Sequence, residues 1–539
     1  MDFRLPSWTR PGLLVVLFAC LLIFSGLNRF DLRDSVEPRE AGVAADMLQK
    51  NQFLVPTLNG RAFLEKPPLS YWLQAASMKA FGYEPFAARL PSAFAGIATV
   101  LLFVFFFRHS ERKDWLILLS GFFLLTMESF WAHARTAGQD MLLAFGVSLA
   151  LLSFYFAREK HSRALWFMFA AGIAIATLTK GVVGLAVPGV VIFSYLLVET
   201  IFLDKRLSVH NWLQPLLFTL LGLLPILVWL WFLYRSQGFA AVKEVVWVNS
   251  VGRFDGGYAQ GSHAEPFYFY LKKLPETFQP WSLFLYIAVW QSLKMLLKER
   301  RVLFFVCWIL APYILLSIAA GKRPSYLIML YPAAAALLAH VVVSWAQQEA
   351  IATSSNFAKR LKWLVSIQAA MLSAATLLLV VRLVQVDTPA MAGLAAVLAT
   401  PMLVIMWRSI PALRVFNFVA SCAGAILVIY VTYYSAVVPS DDHDQSPRAL
   451  MAKLADFAAE GRPVALYQPS ERIEGATSFY LQRSLPVANT EAALEKLIAD
   501  NADVVVLIME QSPVDWSKFT NEARLKYGNL WYHYVSGKR

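Results

Sequence analysis

Thirteen apolar runs, each near the length that crosses a bilayer, constrain this chain more than any other feature of its sequence. A helix needs about 20 mostly apolar residues to span a hydrocarbon core, because an unpaired backbone group in lipid costs several kcal/mol. The runs lie near 11–30, 86–107, 115–133, 141–157, 164–179, 182–203, 212–234, 280–297, 301–320, 324–346, 361–384, 390–407 and 412–437. They predict a polytopic α-helical membrane protein, and their odd number places the two termini on opposite sides. Composition agrees, with 58% hydrophobic and 16% charged residues. That balance argues against a soluble enzyme, a disordered chain or a nucleic-acid-binding module.

The net charge of +12 is explained by where the cations sit. Alternate short connections are basic: Arg108, Arg112 and Lys113; Arg158, Lys160 and Arg163; Lys205 and Arg206; Lys298, Arg300 and Arg301; Lys359, Arg360 and Lys362; Arg408 and Arg414. The positive-inside rule makes this set cytoplasmic, with the N-terminus inside and the C-terminus outside. The first run continues through Gly26 and Leu27 with no A-x-A-like cleavage site, so it reads as an anchor. Cys20, Cys307 and Cys422 all fall inside expected spans, which leaves no disulfide framework or zinc-type cluster.

Three segments lie outside the spans, all on the outer side. Residues 31–85 carry two helical patterns, Ala41, Ala44, Met47 and Leu48, then Leu69, Trp72, Leu73 and Ala76, which predict two amphipathic helices along the membrane surface. Residues 235–279 contain Gly256-Gly257-Tyr258-Ala259-Gln260-Gly261 and read as a flexible loop. In residues 438–539, Val464–Tyr467 and Val504–Met509 read as buried strands and Thr490–Asn501 as a helix with an N-cap Thr, which predicts a small α/β domain after a membrane domain of residues 1–437.

Charges at the outer ends of spans are costly and so mark candidate sites. Asp31, Arg33, Asp34, Glu37, Arg39 and Glu40 open the first loop, where a solvated, ion-paired loop is the plain alternative. Glu65 and Lys66 precede Pro67-Pro68 and then Tyr71 and Trp72, which also suit an interfacial aromatic belt. A Lys at the lipid–water boundary suits an anionic phosphate, and Arg39 offers a forked donor to the same group. Asp140 stands in a short outer turn, where a helix N-cap would also explain it, and Lys180 could be a snorkelling end residue. His263 and Glu265 follow the Gly-rich loop, and Lys322 and Arg323 precede Pro324 and Tyr326. Carboxylates and cations on one face suit a phosphate leaving group and an incoming nucleophile. With no Gly-rich phosphate loop, the activated group is expected on a lipid.

Glu37-Pro38-Arg39, Phe63-Leu64-Glu65-Lys66-Pro67-Pro68, Gln139-Asp140-Met141, Leu178-Thr179-Lys180-Gly181 and Lys322-Arg323-Pro324-Ser325-Tyr326 occur in an order that resembles the aminoarabinose lipid A transferases. These are undecaprenyl-phosphate-sugar-dependent GT-C glycosyltransferases related to the protein O-mannosyltransferases. The resemblance covers about residues 10–345. It implies thirteen spans, two juxtamembrane helices and a periplasmic α/β C-terminal domain, in a multi-pass protein of the bacterial inner membrane. It also implies a polyprenyl-phosphate-linked sugar donor, with 4-amino-4-deoxy-L-arabinose or another amino sugar, and a glycolipid acceptor such as lipid A.

Carried over by residue, the resemblance makes Glu37 and Asp140 the acidic catalytic positions. Arg39 and Lys66 become the cations on the carrier phosphate, with Lys180, Lys322 and Arg323 as further outward-facing candidates. Glu65 matches a carboxylate that helps a relative hold a divalent metal, zinc or similar, with a histidine for which His263 is the best candidate. Two departures stand out: Val36 occupies a position that is often acidic, leaving Glu37 alone or Asp34 to substitute, and Glu40 occupies one that is commonly tyrosine. Protein O-glycosylation by the same fold is the nearer alternative reading. A lipid or solute transporter is the more distant one, disfavoured because no internal repeat or mid-membrane charge is evident.

Overall fold

The computed structural model describes residues 10–33, 36–108, 110, 113–252, 265–348, 356–501 and 503–538. Every expected apolar run is a helix. Among the described residues ten are long and apolar enough to span by themselves, and the pair Lys113–Thr126 and Glu128–Ala134, bent by 77°, makes an eleventh candidate. Pro11–Phe24 and Ser282–Leu293 are shorter apolar helices at the two remaining positions. We number the first ten helices α1 (Pro11–Phe24), α2 (Val36–Gln49), α3 (Leu69–Phe81), α4 (Pro85–Phe107), α5 (Lys113–Thr126), α6 (Glu128–Ala134), α7 (Asp140–Lys160), α8 (Arg163–Lys180), α9 (Val182–Val198) and α10 (Val209–Lys243).

Position in the bundle follows from burial. The span Pro324–Trp345 is 89% buried and α7 83%, so both are central. Only 22% of the apolar window in Val209–Asn249 is covered by protein. Its exposed stripe includes Leu213, Leu217, Leu220, Leu224 and Trp231. So large an apolar face left bare by the protein itself belongs against lipid.

The two helices of the first loop are present, but they are built differently. In α3 the expected apolar face is the outer one: Leu73 and Ala76 are exposed, while Ser70 and Gln74 are buried together with Tyr71, Ala75 and Met78, as suits a helix lying between lipid and the protein. Helix α2 is not a surface helix. Glu37, Pro38 and Glu40 to Met47 are all buried, because the helix lies between the bundle and helix Glu471–Ala476 of the C-terminal region. There Gly42 and Gly475 oppose each other, and a Cβ on either would meet the other helix's backbone. Between α2 and α3, strands β1 (Thr57–Leu58) and β2 (Arg61–Ala62) form a hairpin around Asn59-Gly60, both with positive φ, the pairing that a two-residue I′ turn demands. The Asn59 amide group exchanges two hydrogen bonds with the backbone of Leu485, clamping the hairpin to the C-terminal domain.

The second expected loop, 235–279, is largely helical. Backbone helix continues from α10 through Val251, broken at Gly238, where φ is 78°, and Phe269–Thr277 is a further helix. The loop was read from the Gly-rich stretch 256–261, whereas at Gly238 the chain turns one helix into another. The Gly-rich stretch 256–261 and His263 lie outside the described residues, as does Asp34.

The C-terminal domain carries a five-stranded sheet in the order β4-β3-β5-β7-β6, with β3 (Val464–Tyr467), β4 (Val487–Ala488), β5 (Val505–Met509), β6 (Phe519–Tyr527) and β7 (Leu530–Gly537). Strand β3 runs parallel to β4 and β5, and β7 pairs antiparallel with β5 and β6. Val464 and Leu466 join Leu450, Leu454 and Phe457 on one face, whereas Ala465 and Tyr467 join Leu494 on the other. Cover on both faces is why these strands read as unbroken apolar runs. Thr490 caps Glu491–Asp500 by accepting from the Ala493 amide, as its position in the sequence suggests.

Candidate functional site

Helix α2 carries two sets of charges on different faces. Glu37, in its first turn, is 3% exposed and meets Arg89 of α4, which is fully buried. Arg89 donates from Nε and Nη2 to the two carboxylate oxygens, each at 2.7 Å, and the backbone amides of Ala137 and Arg33 donate to the same carboxylate at 2.8 and 2.9 Å. The remaining guanidinium hydrogens go to the carbonyls of Leu27, Phe30 and Asp31. Glu37 was expected to handle the incoming nucleophile. Its four acceptor positions are instead filled, and it fixes the entry of α2 to α4 and to the turn before α7. Arg89, the anchor of this network, went unnoticed at the sequence level, although an arginine within an apolar run is itself a signal.

Two residues on, about half a helical turn, Arg39 points the other way. It pairs with Glu40 at 2.8 Å, with Glu65 at 3.8 Å and with Glu471 of the C-terminal domain at 3.0 Å. Lys66 donates to the Glu65 carbonyl at 3.1 Å and lies 3.9 Å from its carboxylate. Tyr71 is fully buried, and burial together with Glu40 pushes its phenol well above the ordinary value. Glu40 Oε2 and the Tyr71 hydroxyl are both buried, with the phenol against the Glu40 carboxylate.

Asp140 opens α7, Lys180 closes α8, and the two form a direct ion pair. The Lys180 ammonium also sits 4.7 Å from the centre of the Tyr326 ring. Glu65, Lys66, Lys180, Asn249 and Tyr326 together line a cavity of about 70 Å³. The structure thus brings Arg39, Glu65, Lys66, Asp140 and Lys180 to one place. Sequence reasoning missed Asn249, which comes from the helical extension of α10, and Glu471, which comes from a different domain.

One expected phosphate cation is placed otherwise, and the other is held at its backbone. The Lys322 ammonium donates to the carbonyls of Glu265 and Ala319, so it closes a loop beside the cavity. Arg323 accepts the Tyr270 hydroxyl on its carbonyl at 3.2 Å, which ties down its backbone. For the metal, Glu65 stands between Arg39 and Lys66, and His263 is outside the described residues. Among the described residues no three His, Cys, Asp or Glu side chains converge. Among the described residues, Glu65 is a single carboxylate facing two cations.

Residues 65–229 match the family model for dolichyl-phosphate-mannose-protein mannosyltransferase, a stretch that includes Glu65, Lys66, Asp140 and Lys180. An uncharacterized protein of Aquifex aeolicus is 30% identical over 333 residues, covering 61% of this chain and 63% of its own length. The undecaprenyl phosphate-alpha-4-amino-4-deoxy-L-arabinose arabinosyl transferase 2 of Proteus mirabilis is 26% identical over 342 residues, covering 62% and 60%. The chain therefore spans about three fifths of the length of the curated relatives it matches. The crystal structure of ArnT from Cupriavidus metallidurans bound to undecaprenyl phosphate superposes with a TM-score of 0.74 at 17% identity, covering 98% of this chain and 99% of that one. The same protein in the apo state gives 0.71. The fold, from the first span to the terminal sheet, is ArnT-like.

Proposed function

We propose that this chain, a multi-pass membrane protein with an ArnT-like fold and sequence similarity to the aminoarabinose transferases across its helical part, is a glycosyltransferase. It moves a sugar from a polyprenyl-phosphate carrier to lipid A or another envelope glycolipid. The observation that carries this reading is the convergence of Lys66, Lys180 and Arg39 with Asp140 around one small cavity beside the membrane.

The chemistry asks these residues for little covalent work. The bond between the sugar's anomeric carbon and the carrier phosphate breaks, the phosphate leaves with the electron pair, and an acceptor oxygen takes its place. Lys66 and Lys180 meet the charge that grows on the leaving phosphate, where preorganised donors contribute most. Asp140 holds the Lys180 ammonium toward Tyr326 and the cavity. An acceptor phosphate needs little deprotonation; for a hydroxyl acceptor, Asp140 and Glu65 are the carboxylates at the site, since Glu37 is committed to Arg89. The buried Glu40 carboxylate beside Tyr71 suits an amino group on the transferred sugar. No step here runs through a metal. The basic loops orient the N-terminus to the cytoplasm and the terminal domain to the periplasm of the inner membrane.

The test is transfer in proteoliposomes supplied with undecaprenyl-phosphate-aminoarabinose and lipid A, with product read by mass spectrometry. We expect Lys66→Gln and Asp140→Asn each to lower transfer at least about 100-fold, the scale of losing one preorganised donor, while both proteins elute as the parent does. Full activity in both variants would remove the site. Because the family match is to mannosyltransferases acting on protein, a serine- and threonine-rich peptide belongs in the same assay as a competing acceptor.

A further inference from the structure

A second cavity, of about 740 Å³, lies on the opposite side of the Glu37 network and shares no lining residue with the one described above. It opens among the end of the first span, α6 and the segment leading into the C-terminal domain, and its volume is that of a small-molecule site. Among the described residues its charges do not cancel. Glu37 on its wall is neutralised by Arg89, and Asp441 pairs with Arg382 at 3.0 Å. Arg33 is shared with Asp442 at 3.4 Å. Arg135, which is 2% exposed, has no carboxylate partner among the described residues.

Arg135 is held as a fixture. Its Nη1 donates to the carbonyls of Leu22 and Ile23 at 2.9 and 2.7 Å, and its guanidinium lies 5.1 Å from the Trp131 ring centre and 4.8 Å from that of Tyr434. Nε and Nη2, the edge that matches an oxyanion bidentately, are buried with no acceptor. A buried guanidinium stays charged, and leaving half its donors unmade is costly. Two neighbouring hydroxyls are arranged in the complementary sense: Thr136 donates to the Ala132 carbonyl at 2.9 Å and Ser440 to that of Val437 at 2.6 Å. With their hydrogens committed, these oxygens offer lone pairs to the cavity.

We propose that this cavity is a binding site for a phosphate ester bearing free hydroxyl groups, the phosphate on Arg135 and the ligand's hydroxyls donating to Thr136 and Ser440. A glycerol-phosphate or sugar-phosphate headgroup and a soluble ester of the same kind share this chemistry. The site stands whether or not the chain transfers a sugar.

The test uses the full chain in detergent with Lys66→Gln as background, so that the smaller cavity contributes little phosphate binding. Isothermal titration with glycerol 1-phosphate, inorganic phosphate and glycerol should show the ester binding about tenfold tighter than phosphate, the worth of one good hydrogen bond, and glycerol not at all. Adding Arg135→Gln should weaken the ester at least about tenfold. Should that protein not fold, Ala132→Leu, which fills the wall without touching a charge, should abolish binding. Ester binding that is absent in the background protein, or unchanged in Ala132→Leu, overturns the proposal. Displacement of the ester by phosphatidylglycerol nanodiscs, and not by phosphatidylcholine ones, supports a lipid headgroup as the occupant. Retention of the ester against both supports a soluble one.

Discussion

At the residue scale, two carboxylates that look alike in sequence have opposite environments, and this separates their mutants. Glu37 is paired with a fully buried arginine and accepts two amides, so Glu37→Gln leaves Arg89 uncompensated. Breaking one side of a buried pair costs about 3–5 kcal/mol, and the variant should show a clearly lowered Tm. Asp140→Asn, at a partly open pair with Lys180, should lose activity with a much smaller change in Tm. Equal thermal melts for the two variants would undo this division of roles. Asp31 offers a pH test. Burial pushes its carboxyl up, but hydrogen bonds from Arg448, Tyr480 and Ser446 more than offset this and hold it below the usual range. A depressed carboxylate stabilises above its unfolded value, near about 3.9, and that contribution is lost as pH falls through the folded value. Hydrogen exchange at the junction of residues 446–480 with the first loop should therefore accelerate below about pH 4. Asp31→Asn should show the faster exchange already at neutral pH.

At the scale of elements, close approach decides whether α2 sits where its charges are useful. Gly42 and Gly475 bring α2 and helix Glu471–Ala476 together backbone to backbone, and this contact delivers Glu471 to Arg39. Gly475→Ala forces the helices apart, and an overpacked contact of this kind costs about 1–3 kcal/mol. Transfer should fall together with protease resistance of the first loop, whereas Gly461→Ala, with open space around its Cβ position but positive φ, should disturb only its own turn. The elements differ in how legible they were. The N-capped helix after Thr490 and the two parallel strands announced themselves through local chemistry. The hairpin around Asn59-Gly60 carried an equally local signal. The burial of α2 did not, because Ala41, Ala44 and Met47 give the same stripe whether the partner is lipid or another domain.

On the scale of the whole molecule, the terminal domain is part of the site's support. It supplies Glu471 to Arg39, Arg448 to Asp31 at 2.6 Å and Glu474 to Arg61. A chain ending at Ser440 should insert, since every apolar span precedes that point. It should lose transfer and expose α2, read as new cleavage between residues 36 and 66 under limited proteolysis.

The sequence by itself determined the spans, their orientation signal, the terminal α/β domain and the charged residue types gathered at the small cavity. These are set by hydrophobic length, loop charge and motif order, all of which are local along the chain. Tertiary structure alone decided which charges meet. It gave Glu37 to Arg89, 52 residues away, Asp140 to Lys180, 40 away, and Arg39 to Glu471, 432 away. It also left Arg135 with half its donors unmade beside a cavity. An ion pair forms by proximity in space, and nothing in the spacing of charges along a chain encodes which of several carboxylates a folded helix will carry to a given cation.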